Sequence, residues 1–170
     1  DRYGADGALP VCEPDAVIDG ARLTLSDAAR HAPEPLAFLR LLRPSDYVGL
    51  LAYLPPEAEG LARVLQDLRH AIAVRTGVAT TLGYGPRYLH STGQLHKGGA
   101  NTGVFILVTA EIAADLPIPG APYSFGVLEL AQATGDFESL NCTGRRALHI
   151  HLPGRDPDSL RRIARMILAS

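Results

Sequence analysis

A polar, glycine-rich segment at residues 83–99 carries the side chains best suited to chemistry. Seven donor or acid–base side chains fall within the eleven positions from 87 to 97. Glycines such as Gly98 and Gly99 let a backbone approach a ligand and present N–H groups to an anion. A solvated connection would not need so many functional groups, so we predict a functional site here. The seven side chains are Arg87, His90, Ser91, Thr92, Gln94, His96 and Lys97.

These residue types favour a phosphorylated, hydroxyl-rich small molecule such as a sugar phosphate. Arg87 and Lys97 supply positive charge for a phosphate group. An imidazole at His90 or His96 can transfer protons near pH 7. The spacing matches neither the GxxxxGK[ST] nor the GxGxxG nucleotide-binding pattern. We predict catalytic roles for His90, His96 and Lys97, and substrate binding by Arg87, Ser91, Thr92, Gln94, Gly98 and Gly99.

Other polar residues give weaker signals. His149 and His151 alternate along a predicted strand and so share one face. No Asp, Glu or Cys stands at a spacing that would complete a metal site with them, so we predict a solvent-facing strand surface. Gly135 and Asp136 are expected to break the helix that follows Ser124, and Asp136 to cap a further short helix. We predict no metal or other cofactor.

Hydrophobic periodicity predicts the elements that must position the polar segment. Residues 47–54 form a nearly continuous apolar run, which is typical of a buried strand. A helical stripe follows at Leu61, Val64, Leu65, Leu68 and Ile72. Further strands are predicted at 78–82, 102–109 and 146–152, and further helices after Pro35, Ser124 and Asp156.

From residue 46 the predicted order is β-α-β-loop-β-α-β-α, which fits two architectures. If the polar segment joins a hairpin, the fold is α+β, with a ferredoxin-like β-α-β-β-α-β sheet and added N- and C-terminal helices. If it contains a crossover helix, the fold is a parallel three-layer α/β domain. The glycines argue against a helix there, so the ferredoxin-like arrangement is preferred.

Length and composition narrow the class of protein. The 170 residues suit one domain. Residues 1–23, rich in Gly, Ala, Pro and Asp, are predicted to be a linker or wrapping arm, and residues 24–170 a single α/β-type domain of a larger protein. The net charge of −2 provides no basic field for nucleic acid, and no apolar run suits a membrane. Two cysteines form no disulfide framework, so we expect a cytoplasmic protein.

Four segments resemble a known family. The chain resembles the C-terminal region of bacterial glucose-6-phosphate isomerases, as found in transaldolase/phosphoglucose isomerase fusion proteins. The resemblance extends from about residue 36 to residue 170. The segments that carry it are DYVGLLAYLPPE at 46–57, GYGPRYLHSTGQLHKGGANTGVFILVTAE at 83–111, LPIPGAPYSFGVLELAQATGDFESL at 116–140 and RRALHIHLP at 145–153.

The resemblance implies a part in the interconversion of glucose 6-phosphate and fructose 6-phosphate, in glycolysis and gluconeogenesis. The family moves a proton between C2 and C1 through a cis-enediol, without metal or nucleotide. Its usual motif of the Phe-Asp-Gln-x-Gly-Val-Glu type is absent from this chain. The resemblance therefore implies a C-terminal domain, inactive alone, whose site is completed by upstream isomerase lobes or across a homodimer. The alternatives are a structural or dimerisation domain and a sugar-phosphate-sensing domain.

Overall fold

The computed structural model describes residues 13–170, and a six-stranded sheet runs through its centre. The strands are β1 (Ala16–Ile18), β2 (Ala21–Leu25), β3 (Tyr47–Ala52), β4 (Ala79–Tyr84), β5 (Gly103–Ala110) and β6 (Arg146–Leu152). The α-helices are α1 (Glu59–Thr76), α2 (Gly93–Gly98), α3 (Phe125–Cys142) and α4 (Pro157–Ala169). Short 3₁₀ helices span Asp27–Ala29, Pro35–Leu41 and Arg87–His90.

The strand order is β1-β2-β6-β5-β3-β4, and the four strands from β3 to β6 are all parallel. The predicted mixture of helices with a sheet is confirmed. The preferred ferredoxin-like arrangement is corrected, because β4 and β5 form no hairpin and each pairs in parallel with β3. The parallel three-layer alternative describes this part of the sheet. The physical reason is that the polar segment includes the helix α2 and, despite its glycines, carries the chain across β3 from β4 to β5.

The predicted N-terminal arm belongs to the sheet as far as it is described. Residues 1–12 lie outside the described residues. Beyond them, β1 pairs antiparallel with β2, and β2 pairs antiparallel with β6. The hairpin turns at Asp19 and Gly20, whose φ angles are 49° and 78°. Two positive φ angles are typical of the Asp-Gly turns that join tight hairpins.

The two faces of the sheet are covered differently. On one face α1 and α4 pack against the larger core, and the five stripe residues from Leu61 to Ile72 are all buried as predicted. On the other face α3 and the polar segment cover a smaller core. That smaller core contains Tyr53, Tyr88, Phe105, Leu107, Ala133, Phe137 and Leu140.

Helix α3 begins as predicted and ends later than predicted. The Ser124 Oγ accepts a hydrogen bond from the Val127 N–H at 3.3 Å, which confirms the N-terminal cap. The helix then continues through Gly135 and Asp136 to Cys142, so the predicted break and the predicted capping role of Asp136 are wrong. A glycine inside a helix costs about 1 kcal/mol, and the buried side chains on the same helix offset that cost.

A buried ion pair fixes the amino edge of the sheet. Arg146 at the start of β6 donates two hydrogen bonds to the Asp46 carboxylate, at 2.7 and 3.0 Å. It donates another to the Leu41 carbonyl at 2.7 Å. Burial raises the Asp46 pKa, but hydrogen bonds from Arg146 and the Arg43 backbone, with both positive charges, outweigh it and lower the pKa overall.

We expect the substitution Asp46→Asn to lower the free energy of unfolding by about 3 kcal/mol, because it leaves the Arg146 guanidinium buried without a counter-charge. In the wild type the contribution of Asp46 is present above its ordinary pKa of 3.8 and is lost as the pH falls through the lowered value. Urea denaturation at pH 7 and at pH 3 measures both effects. The exposed Asp67→Asn is the control, and equal losses in the two variants would contradict the prediction.

Candidate functional site

The polar segment forms the crossover between β4 and β5. Residues 85–102, which we call the crossover, leave the carboxyl edge of the sheet and return to its amino edge. Two of its side chains, Tyr88 and His96, point inward and are only 5% and 4% exposed. At its start a Cβ on Gly85 would lie 2.5 Å from the Tyr53 ring, so glycine permits the close approach.

His96 lies in the core beneath the crossover. Its Nδ1 is 2.9 Å from the Tyr47 hydroxyl, and its ring centroid is 5.0 Å from that of Phe105. Burial lowers its pKa, and the neighbouring charge of Lys97 lowers it further. These contacts give His96 a packing role. The His96 ring is enclosed by these neighbours. Its predicted catalytic role stays a prediction.

Lys97 and Asp136 form an ion pair between α2 and α3. The Lys97 Nζ lies 2.5 Å from the Asp136 Oδ1, and their side chains are 26% and 1% exposed. Burial raises the Asp136 pKa to about 7 and lowers the pKa of Lys97. The two charges act in the opposite direction, since each favours the ionised form of its partner. Burial also raises the pKa of the neighbouring Tyr53, and the Asp136 charge adds to that effect.

Arg145 holds the end of α2 and thereby positions Lys97. It donates hydrogen bonds of 2.7 Å to the carbonyls of Lys97 and Gly99. These carbonyls end the helix, where a cation is favoured. A Cβ on Gly99 would lie 2.6 Å from the Leu95 carbonyl oxygen, so the backbone needs glycine there for steric reasons.

The remaining predicted residues lie on the solvent side of the crossover. Ser91 donates to the Tyr88 carbonyl at 3.2 Å. The structure therefore divides the predicted site into an inner pair, His96 and Lys97, and an outer polar surface. Gly98 is exposed and Gly99 is half-buried. The exposed side chains of the outer surface are Arg87, His90, Ser91, Thr92 and Gln94.

A cleft of about 190 Å³, including space open to solvent, lies at the carboxyl edge of the sheet. It lies where β3 and β5 adjoin, and the chain leaves these strands toward opposite sides. Parallel α/β sheets bind ligands at such switch points. Burial raises the pKa of Glu129 in the cleft, although the nearby Arg155 lowers it. The lining residues are Tyr53, Thr109, Ala110, Ile112, Gly126, Glu129 and Leu130.

The predicted solvent-facing surface of His149 and His151 is wrong. His151 is 6% exposed and His149 is half-buried. Both hydrogen-bond the Thr109 hydroxyl on β5, at 2.8 Å each. The His149 ring also lies 5.5 Å from that of Phe137 on α3. The alternation correctly placed both rings on one face, but it carried no information about which helix covers that face.

Asp136 is the functional-site residue that the sequence reasoning missed most clearly. It stands on the buried stripe of α3 with Ala133, Phe137 and Leu140, at helical spacing. A carboxylate at an apolar position of a helix needs a partner, and this was the available signal. Tyr53 gave a similar signal, because its hydroxyl stands near the end of the otherwise apolar run at residues 47–54. Arg145 gave none, because its partners are carbonyls far away in the sequence.

Within residues 13–170, no group of three or more His, Cys, Asp or Glu side chains could hold a metal ion. No helix in the same range is both long and apolar enough to cross a membrane.

Comparison with known proteins shows a likeness of fold. No family model matches the chain, and no curated protein matches it. Hypothetical protein TT0462 from Thermus thermophilus has a similar structure, with a TM-score of 0.65 and 19% sequence identity. The likeness covers 78% of this chain and 36% of that chain, so this chain spans about a third of its structural neighbour. At this identity the likeness shows the fold alone.

We expect Asp136 to make stability depend on pH between about 4 and 7. Its pKa is raised from 3.8 to about 7 in the folded protein, so folding favours the protonated carboxyl. As the pH rises from 4 to 7, the free energy of unfolding of the wild type should fall relative to that of Asp136→Asn. The upper limit is about 4 kcal/mol, and pairing with Lys97 reduces the change. Urea denaturation across this pH range measures it.

The control for this prediction is Glu138→Gln, which removes an exposed carboxylate from the same helix. Its stability should follow that of the wild type at every pH. A constant difference between the wild type and Asp136→Asn from pH 4 to 7 would contradict the raised pKa.

Proposed function

We propose that this chain is part of an aldose–ketose isomerase that interconverts glucose 6-phosphate and fructose 6-phosphate. The proposal unites the resemblance of four segments with the chemistry of the crossover. In it the chain is a cytoplasmic C-terminal domain, and upstream isomerase lobes or a second subunit complete the site. The isolated chain then binds the sugar phosphate weakly and does not turn it over.

The observation that carries the proposal is the Lys97–Asp136 pair. An isomerase of this kind must take a proton from a carbon next to a carbonyl and stabilise the resulting enediolate. Asp136 has a pKa of about 7, which is suited to accepting and returning a proton at neutral pH. Lys97 keeps 26% of its side chain exposed and Asp136 only 1%, so Lys97 is the more accessible member of the pair.

The outer surface of the crossover supplies the binding groups in this proposal. Arg87 is exposed beside the carboxyl edge, where its charge lowers the pKa of the half-buried Tyr84 against the stronger effect of burial. A guanidinium in this position can bind a phosphate through two hydrogen bonds. The hydroxyls of Ser91 and Thr92 and the amide of Gln94 suit the hydroxyl groups of a sugar.

A structural or dimerisation role is the second candidate, and an exposed apolar surface favours it. Leu116, Phe125 and Leu128 lie around the start of α3 and are 70%, 55% and 37% exposed. Such side chains together are typical of surfaces that contact another protein surface. In this case removing the domain would change the assembly of the parent protein and leave its chemistry intact.

The test of the isomerase proposal uses the natural protein that contains this chain. We expect Lys97→Met to lower kcat for fructose 6-phosphate at least about 100-fold, the usual contribution of an acid–base group. We expect Arg87→Ala to raise KM about 10-fold, because a phosphate contact is lost. A coupled assay of glucose 6-phosphate formation measures both constants.

Arg165→Ala is the matched control, because it removes an exposed arginine from α4 on the opposite face of the sheet. It should leave kcat and KM unchanged. Wild-type kcat in Lys97→Met, with intact assembly, would sink the proposed catalytic role. Calorimetric titration of this chain with fructose 6-phosphate at low salt then tests whether it binds the ligand alone.

A further inference from the structure

A chain of hydrogen bonds crosses the carboxyl edge between β5 and β6. The Thr109 hydroxyl lies between two imidazoles, 2.8 Å from His149 Nε2 and 2.8 Å from His151 Nδ1. The other ring nitrogen of His151 lies 3.0 Å from the Glu111 Oε1. Arg22 on β2 donates to the same Glu111 oxygen at 3.2 Å. Thr109 and His151 are 2% and 6% exposed, so these hydrogen bonds take the place of hydrogen bonds to water.

The donors and acceptors in this chain can be assigned in only one way when His151 is neutral. An ionised Glu111 only accepts, so the His151 Nε2 carries a proton and its Nδ1 accepts. The Thr109 hydroxyl therefore donates to the His151 Nδ1, and its oxygen accepts from His149. The proton of His149 is then on Nε2, and its Nδ1 has a free lone pair.

Protonation of His151 reverses every bond up to His149. A His151 imidazolium donates from both nitrogens, so the Thr109 oxygen accepts from it and the Thr109 hydroxyl donates to the His149 Nε2. The proton of His149 must then be on Nδ1. A proton taken up at the His149 Nδ1 thus moves the Nε2 proton to Thr109 and the Thr109 proton to the His151 Nδ1. One proton enters, and the positive charge appears beside Glu111.

We propose that His149, Thr109, His151 and Glu111 form a proton relay, in which the Nδ1 of His149 exchanges the proton and the His151–Glu111 pair stores it. The relay would serve a small polar molecule that gives up a proton from a hydroxyl or from a carbon next to a carbonyl. Thr109 also lines the cleft at the switch point, so one member of the relay borders the place where such sheets bind ligands.

The surroundings explain why the proton would not stay on His149. Burial, together with the nearby positive charges of His151 and Arg22, lowers the pKa of His149 to about 3. Arg22 is the charged group that faces the relay from β2, and it also pairs with Glu111. On α3 the carboxylates of Asp136 and Glu129 raise the pKa of Tyr53, and neither is among the groups that shift the pKa of His149. His151 contacts the Glu111 carboxylate directly, so a positive charge is stabilised there.

The relay goes beyond the proposed isomerase activity, because it shares no residue with the Lys97–Asp136 pair. It can exist whichever reaction the parent protein performs. Its test therefore measures protons on the chain itself and needs no substrate.

The test is a pH titration of the ¹⁵N-labelled chain, followed by NMR of the ring nitrogens of His149 and His151. We expect His149 to carry its proton on Nε2 at high pH and on Nδ1 once His151 is protonated. The two changes should have a common midpoint. If His149 keeps one tautomer while His151 titrates, the relay is refuted.

Two variants separate the relay from ordinary packing. Thr109→Val keeps the shape of the side chain but removes the hydroxyl, so His151 should still titrate while His149 no longer changes its tautomer. Thr109→Ser keeps the hydroxyl and should retain the coupled change. Coupling that persists in Thr109→Val would also refute the relay. The wild-type titration decides the question alone if the valine variant does not fold.

Discussion

The parallel pairing of β3 with both β4 and β5 is the constraint on which the rest of the structure depends. Because both neighbours run in the direction of β3, the chain must return to the amino edge of the sheet after β4. It makes this return in residues 85–102, which contain one turn of 3₁₀ helix and the six-residue helix α2. So short a connection buries little apolar surface by itself. The crossover is therefore fixed to the sheet by the buried side chains of Tyr88 and His96 and by the hydrogen bonds that Arg145 donates to its carbonyls.

This constraint makes the two faces of the sheet chemically different. The face beneath α1, a helix of 18 residues, is filled by aliphatic side chains and Phe38. The face beneath the crossover and α3 also contains imidazoles, phenols, a carboxylate and an ammonium. Buried polar groups require partners, and most of these have them: Lys97 pairs with Asp136, and His96 with Tyr47. This face therefore depends on specific polar pairing as well as on apolar contact.

Local periodicity predicted the elements whose stability is local. The stripe of α1, the apolar strand β3 and the Ser124 cap all stand where the sequence placed them. Strand direction was not predictable in the same way, since it depends on how the crossover packs rather than on its own composition. The partners at the site also lie far apart along the chain: Asp136 binds a side chain 39 residues earlier. The helical spacing of buried positions shows that a carboxylate such as Asp136 stands among apolar residues, but it does not identify the partner of that carboxylate.

The distribution of polar groups indicates where chemistry is to be expected on this fold. Replacing a buried ion pair with apolar residues of similar size is often neutral or stabilising, so stability alone gives little reason to keep Lys97 and Asp136 in the interior. The same reasoning applies to His149 and His151, which occupy strand positions that apolar side chains would fill well. Both sets lie on the side of the sheet that α3 covers. Tyr53 and Thr109, on the same side, line the cleft at the carboxyl edge. The face beneath α3, where polar groups occupy positions that apolar side chains would fill well, is therefore the face on which we expect protons to move.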